Sequence, residues 1–228
     1  MSDRSTSGRR VLVLGATGGT GREVVAQALA ADHQVTAFVR RTSALPAHPL
    51  LETVVGDPIG DVAALAAAAK GHDAVISALG NALSIRDGRQ PKILGRATRT
   101  LTAVLDKAGV SRVVIMLSYG SGATAPMAPL PIRLLGATLL RTDFADLGRA
   151  SDALTSSGLD WTVCHFGALT VGPRTGQATV SAALTRPATY RVRRADLAGI
   201  LLELALTGAY SKQAVVVSGP TSAPGARS

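Results

Sequence analysis

The chain has 228 residues, of which 46% are hydrophobic, and this length can bury the core of a single α/β domain. Every apolar run stops well short of the about 20 residues that span a bilayer, which argues against a membrane protein. The net charge of +9 would suit a polyanion, but the basic residues are scattered and aromatic residues make up only 3%, so no specific nucleic-acid interface is expected.

The N-terminal segment and the cysteine content favour a cytoplasmic protein. Residues 1–9 are polar and basic and are predicted to be flexible, and the apolar VLVLG that follows is shorter than a signal-peptide core. The single cysteine, Cys164, cannot form an internal disulfide. His33, His48 and His72 fall in loops or at helix–strand junctions and are predicted to lie at the surface. The histidines are too widely separated for a metal site, so none is predicted.

Short Val/Ile/Leu strands alternate with helical stretches along the chain. Strands are predicted for RRVLVLG, HQVTAFVR, LETVVG, DAVISALG, RVVIML, DWTVCHF and QAVVVSG, and helices for residues 19–31, 61–70, 90–109, 131–157 and 194–207. This alternation predicts a Rossmann-type, doubly wound parallel sheet with helices on both faces. We expect one domain over residues 10–218 and a flexible tail at 219–228.

The first strand runs directly into a glycine-rich loop and then a helix. The loop reads Gly15-Ala-Thr-Gly18-Gly-Thr-Gly21. In this context glycines let backbone amides approach a pyrophosphate, and the helix N-terminus adds aligned donors and a partial positive charge. The hydroxyls of Thr17 and Thr20 are available as further donors. The loop therefore predicts a dinucleotide site.

The second strand ends at Arg40 and Arg41, where a protein selective for NAD would carry an acidic residue for the ribose diol. An arginine there can instead bind a 2′-phosphate through charge-assisted hydrogen bonds, which favours NADP(H) over NAD(H). A solvated arginine pair is the alternative. Asp57 follows the third strand and is placed either to accept a hydrogen bond from the adenine amino group or to cap a turn.

Two irregular segments follow the later strands. Residues 119–131 are rich in glycine, proline and small residues and are predicted to form a long loop, and residues 168–188 are predicted to form a second irregular insertion. Ligands of open α/β sheets bind beyond the carboxyl ends of the strands. We therefore expect these loops to form the substrate side.

The assembled motifs resemble the atypical short-chain dehydrogenase/reductase superfamily, and within it the NAD(P)H-binding group that contains biliverdin reductase B, a flavin reductase, and the NmrA-like proteins. The similar segments cover most of the chain and include VLVLGATGGTGREVVAQAL, HQVTAFVRR, VVGD, GHDAVISALG, GVSRVVIMLS, SGLDWTV and RADLA. The resemblance implies a dinucleotide lined by Gly15, Thr17, Gly18, Thr20, Arg40, Asp57, Leu79 and Gly80, with Ser118 beside the nicotinamide. The predicted cofactor site also includes Gly19, Gly21, Arg41, Pro58, Leu117, Phe166 and Gly167.

The chain departs from its relatives at the catalytic side. The better-known short-chain dehydrogenases use a Tyr-x-x-x-Lys pair, in which the lysine lowers the pKa of the tyrosine, and no tyrosine here precedes a lysine by four residues. Relatives commonly carry a proline after the sixth strand, where this chain reads Cys164-His165-Phe166-Gly167. The wall beside the nicotinamide is therefore altered.

Three side chains are candidates for proton transfer or hydrogen bonding to an acceptor. Ser118 and Tyr119 follow the strand that ends under the nicotinamide, although Ser118 also suits a strand-end turn. Tyr119 without a lysine partner should keep a pKa near 10 and act as a donor only. His165 lies near the end of the sixth strand and is either an acid, a substrate contact or a wall residue.

Three functions remain compatible with these residues. The first is an NADPH-dependent reductase of a conjugated small molecule such as a flavin, biliverdin, a quinone or a secondary-metabolite ketone. The second is a non-catalytic redox sensor like the NmrA-like regulators, which passes the state of its dinucleotide to a protein partner. The third is an epimerase or tailoring enzyme of a biosynthetic pathway. The acceptor, the stereochemistry of hydride transfer and the oligomeric state do not follow from the sequence.

Overall fold

A mostly parallel sheet of eight strands organises the protein. The computed structural model describes residues 8–42, 45–80 and 92–221, so most of the predicted flexible segments 1–9 and 219–228 lies outside the described residues. The strands are β1 (Arg10–Leu14), β2 (Gln34–Val39), β3 (Leu51–Val55), β4 (Ala74–Ser77), β5 (Arg112–Ser118), β6 (Asp160–Phe166), β7 (Ala168–Thr170), β8 (Thr179–Ser181), β9 (Arg191–Arg193) and β10 (Gln213–Ser218). The sheet order is β3-β2-β1-β4-β5-β6-β10-β8, while β7 and β9 form a separate parallel pair.

Helices cover both faces of this sheet, as the sequence predicts. They are α1 (Gly19–Ala30), α2 (Val62–Ala69), α3 (Leu94–Ala108), α4 (Leu130–Ala137), α5 (Arg141–Thr155) and α6 (Arg194–Thr207). All pairs from β3 to β10 are parallel, and only β8 joins β10 in the antiparallel sense. The Rossmann-type, doubly wound fold is confirmed.

Alternation along the central strand divides the core into two layers. Val11 and Val13 of β1 pack with α1 and α6 on one face, and Leu12 and Leu14 pack with α2, α3 and α5 on the other. All four side chains are fully buried. A strand covered on both faces reads as a continuous apolar run, which is why VLVL was recognisable in the sequence.

Two predicted segments differ from the structure. The single helix expected over 131–157 is two helices, because α4 ends at Ala137 and α5 begins only at Arg141. The segment 168–188 is not wholly irregular, since it contains β7 and β8. These strands have three residues each, too short to show a hydrophobic period.

Two histidines predicted at the surface are buried instead. His72 bonds Thr36 Oγ1 at 2.9 Å, and burial lowers its pKa. His33 is only 4% exposed, and burial likewise lowers its pKa. Both lie where helix and strand meet, so the packed junction covers their rings.

Arg112 is the main polar group inside the amino-terminal end of the sheet. Its guanidinium donates to the backbone carbonyls of Leu204 and Ala209 at 2.6 and 2.9 Å, and it pairs with Asp160 at 3.0 Å. These carbonyls lie near the end of α6, where backbone acceptors lack helical partners. Arg112 therefore ties the end of α6 to β5.

Within residues 8–42, 45–80 and 92–221, no helix is both long enough and apolar enough to cross a membrane.

Candidate functional site

The candidate site lies where the chain reverses the direction in which it adds strands. After β1 the chain builds outward to β2 and β3, and then returns to place β4 on the other side of β1. The crossovers on the two sides diverge at this point and leave a crevice at the carboxyl ends of β1 and β4. The predicted dinucleotide residues Gly15 and Gly80 follow these two strands.

Close backbone approaches explain two glycines of the loop after β1. Gly15 has φ +76°, and a Cβ there would lie 2.7 Å from the carbonyl of Ala78. A Cβ at Gly21 would lie 2.1 Å from the Gly15 carbonyl oxygen, so the start of α1 can pack against the loop only without a side chain. The first amides of α1 are thereby brought to the crevice, where a phosphate can accept from them.

One half of the crevice is a cavity of about 160 Å³ between β1, β2 and β4. Its lining includes most of the residues predicted for the adenosine and phosphate part of the cofactor, namely Gly15, Thr17, Gly18, Arg40, Pro58, Leu79 and Gly80. Arg40 is exposed at the end of β2, where it lines this cavity. Arg41 is also exposed but does not line this cavity.

Two predicted cofactor contacts do not line this cavity. Asp57 is exposed, and its Oδ1 accepts a hydrogen bond from the amide of Ile59 at 3.1 Å. It therefore caps the turn after β3, one of the two roles that the sequence left open, while the hydrogen bond to the adenine amino group stays a prediction; the neighbouring Pro58 lines the cavity. Thr20 is only 3% exposed, so its hydroxyl points into the protein and not toward the crevice.

The other half of the crevice is a cavity of about 340 Å³ beyond β5 and β6. It shares Leu79 and Gly80 with the first cavity, so the two cavities adjoin at these residues. Its lining includes the predicted residues Leu117, Ser118, Phe166 and Gly167, together with Leu94, Met116, Asp143, Leu147, Ala168, Leu169 and Arg194. The walls are mainly apolar, and Ser118 contributes a half-buried hydroxyl.

Tyr119 does not share this cavity with Ser118. Its side chain is 4% exposed and its hydroxyl donates to the Met127 carbonyl at 3.2 Å. Its ring contacts Tyr190 edge to face at 5.8 Å, and burial raises its pKa. Tyr119 thus packs the segment 119–131 against the chain near Tyr190, which corrects its proposed part in proton transfer.

His165 also points away from the cavity. Neighbouring residues of a strand face opposite ways, and Phe166 lines the cavity while His165 is fully buried on the other face. Its Nδ1 lies 3.3 Å from Thr124 Oγ1, and burial lowers the pKa of the imidazole to about 4. His165 is therefore neutral at physiological pH and is corrected from a candidate acid to a packed residue.

The structure brings to the cavity several residues that the motifs did not predict, among them Asp143, Leu147 and Arg194. Asp143 and Leu147, one turn apart on α5, both line the larger cavity, and Lys92 Nζ pairs with Asp143 at 2.7 Å. Arg194 at the start of α6 reaches the same cavity from the opposite side. The predicted substrate loops contribute less, since only Ala168 and Leu169 of segments 119–131 and 168–188 line this cavity.

Comparison with solved structures supports the fold over nearly the whole chain. The anaerobilin reductase ChuY from Escherichia coli O157:H7 is 27% identical, with a TM-score of 0.76 over 95% of this chain and 100% of that chain. A short-chain dehydrogenase/reductase of Veillonella parvula in complex with NADP is 16% identical, with a TM-score of 0.77 over 93% of this chain and 95% of that chain. At that identity the second likeness concerns the fold only.

The sequence also matches curated proteins over part of their length. A 3-beta-hydroxysteroid dehydrogenase of Mycolicibacterium neoaurum is 38% identical over 117 residues, which are 48% of this chain and 32% of that protein. A 3 beta-hydroxysteroid dehydrogenase/Delta 5-->4-isomerase of Mycobacterium tuberculosis is 38% identical over 113 residues, 46% of this chain and 30% of its length. The chain thus spans about a third of the length of these curated relatives.

A family model described as NAD(P)H-binding matches residues 15–207, from the first glycine of the loop to the end of α6. This range includes both halves of the crevice and agrees with the resemblance drawn from the motifs. The chain therefore belongs to this NAD(P)H-binding family.

Proposed function

We propose that the protein is an NADPH-dependent reductase that transfers a hydride to a flat, conjugated small molecule. The observation that carries this proposal is the adjacency of two cavities, because the cavity beside the glycine-rich loop and the mainly apolar cavity beyond β5 and β6 share Leu79 and Gly80. A dinucleotide laid along such a crevice would direct its nicotinamide toward the cavity, where an apolar acceptor can lie against it.

The cofactor, when bound, supplies the hydride, so the protein has mainly to orient the acceptor and exclude water. Leu117, Phe166 and Leu169 give apolar surface for a conjugated ring system. The Ser118 hydroxyl is placed to donate a hydrogen bond to the acceptor atom that gains negative charge. Asp143, neutralised by Lys92, can accept a hydrogen bond from an N–H or O–H group of the acceptor.

The preference for NADPH is supported by Arg40. It lines the crevice at the end of β2 and can bind a 2′-phosphate with its planar fork. A cytoplasmic location and a small-molecule partner fit this proposal, since a reductase of this kind needs a supply of reduced dinucleotide.

The named relatives support reduction as a class of reaction. ChuY is described as an anaerobilin reductase, and the partial relatives are hydroxysteroid dehydrogenases. Both names refer to reactions at conjugated or polycyclic molecules. We propose an acceptor of this general shape, with flavins, bilins, quinones and polycyclic ketones as the classes to test.

The first experiment measures NADPH consumption at about 340 nm against that panel, with NADH in parallel. We expect turnover of one acceptor class with NADPH preferred, and a Ser118→Ala variant with reduced kcat but unchanged NADPH affinity. Ser156→Ala, at an exposed position beyond α5, is the matched control. NADPH binding without turnover of any acceptor would contradict the reductase.

A redox sensor that acts on a protein partner is the second candidate, and one observation favours it. Asp143 and Leu147 line the cavity with the four-residue spacing of the Tyr-x-x-x-Lys pair, but neither is a tyrosine or a lysine, so they do not provide that pair's phenol and ammonium groups. Tight NADPH binding, no turnover, and a partner that binds differently with NADPH and NADP⁺ would support this function.

A further inference from the structure

The side chain of Arg194 crosses the gap between two helices and lies on the phosphate loop. A Cβ built on Gly19 would lie 2.7 Å from Cδ and 2.8 Å from Nε of Arg194. With a side chain at position 19, the arginine would have to take another conformation. A residue 175 positions later in the chain is thereby packed against the first turn of α1.

The geometry points to Arg194 as a pyrophosphate-binding residue of the dinucleotide site, acting from α6 across the N-terminus of α1. This inference rests on the dinucleotide-binding part of the proposed function and is independent of the acceptor. It adds a cationic side chain to a loop that otherwise offers mainly backbone amides and the Thr17 hydroxyl.

The electrostatic surroundings support an anionic ligand at this point. The first turn of α1 contains no acidic residue, and its N-cap, Gly18, has no side chain to satisfy the first amides. Within the described residues, no hydrogen bond or ion pair engages the guanidinium of Arg194. A half-buried guanidinium beside unsatisfied amides at the positive end of a helix is suited to a pyrophosphate.

The position of Arg194 is fixed by contacts around it. Gln27 Nε2 of α1 donates to the carbonyl of Ala195 at 2.8 Å, which ties the two helices together next to the arginine. On the other side, Asp196 accepts from the amide and hydroxyl of Thr175 and from the amide of Gly176, at 2.7 to 2.8 Å. The backbone that carries Arg194 therefore has little conformational freedom to lose when a ligand binds.

The test compares Arg194→Met, which keeps an unbranched apolar stem, with Arg193→Met as the matched control. Arg193 is the preceding residue, and its guanidinium donates to the Pro173 carbonyl. Binding of NADPH, NADH and adenosine 2′-monophosphate is measured by calorimetry on all three proteins. The last probe contains the 2′-phosphate but no pyrophosphate.

We expect Arg194→Met to weaken NADPH and NADH by a similar factor, on the order of tenfold or more, and to leave the monophosphate within about twofold. The affinity of Arg194→Lys for both dinucleotides should lie between that of the wild type and that of Arg194→Met, because lysine keeps the charge but not the planar fork. Arg193→Met should bind all three ligands like the wild type.

Two results would overturn the inference. Unchanged dinucleotide affinity with a raised KM for the acceptor would assign Arg194 to the substrate, and equal weakening of all three ligands would indicate a general loosening of the site. Failure of the wild-type protein to bind NADPH or NADH would refute the dinucleotide-binding part of the proposed function, and is distinguishable from either.

Discussion

Arg40 and Arg41 are adjacent in the sequence but unequal in the crevice, since only Arg40 lines the cavity between β1, β2 and β4. Arg40→Ala should weaken NADPH by roughly tenfold or more, because a charge-assisted contact to the 2′-phosphate is lost, and should change NADH much less. Direct titration of both dinucleotides measures the ratio.

The neighbouring arginine is the control for this change. Arg41→Ala removes the same charge one residue away, so its effect on the NADPH-to-NADH ratio should be clearly smaller. Equal weakening of the two dinucleotides by Arg40→Ala would refute the 2′-phosphate contact.

His165 gives the protein a pH dependence of stability without taking part in chemistry. Its folded pKa of about 4 lies below the ordinary value of 6.5, so the unfolded chain binds more protons between these values. The free energy of unfolding should therefore fall as the pH is lowered from about 6.5 to 4, by at most about 3 kcal/mol from this residue. His33 and His72 act in the same direction.

Urea denaturation at several pH values checks this. His165→Asn should show a smaller loss of stability on acidification, whereas His48→Gln, at an exposed position, should keep the wild-type slope. An identical slope in His165→Asn would show that another group carries the effect.

At the scale of the element, the end of α6 depends on one side chain from β5. Replacing Arg112 by methionine would leave the Leu204 and Ala209 carbonyls without their donor, and we expect a loss of about 2–4 kcal/mol in urea denaturation. Arg9→Met breaks the exposed Arg9–Asp73 pair and should cost less than about 1 kcal/mol. Similar losses of unfolding free energy in both variants would contradict the inference that Arg112 holds the end of α6 on β5.

The elements that the sequence predicted well are those with a strong local pattern. β1 and β5 are continuous apolar runs buried on both faces, and α3 carries apolar residues at helical spacing. β7 and β9 have three residues each and exist because they pair with one another across more than twenty positions. The hydrophobic pattern of the sequence around either strand cannot predict a pairing with a segment so far along the chain.

The residues of the candidate site also differ in whether a local sequence pattern predicts them. Gly15 and Gly21 were predicted because one short segment contains the whole phosphate loop. Asp143 and Arg194 were missed because they enter the cavity from helices distant in sequence. Tyr119 and His165 were assigned to the site because strand ends were predicted without the direction in which each side chain points.

At the scale of the whole molecule, the segments that follow the later strands differ in how firmly they are attached to the rest of the fold. The chain around β7, β8 and β9 is held by the β7–β9 pair, by β8 on β10, and by Asp196 on Thr175 and Gly176. On the other side, α4 has no buried residue, and Leu130 and Leu139 are 64% and 71% exposed.

Because α4 is held by few buried contacts, it is expected to open locally more often than the strands of the sheet. Amides protected by few buried contacts exchange with solvent through small fluctuations, whereas amides of well-anchored strands exchange only through larger unfolding. In native-state hydrogen exchange, the amides of α4 should therefore exchange faster than those of β5 and β6 by several orders of magnitude. Comparable protection of α4 and β5 would contradict this. If the order is observed, α4 opens as a local unit while the sheet and the phosphate loop stay folded.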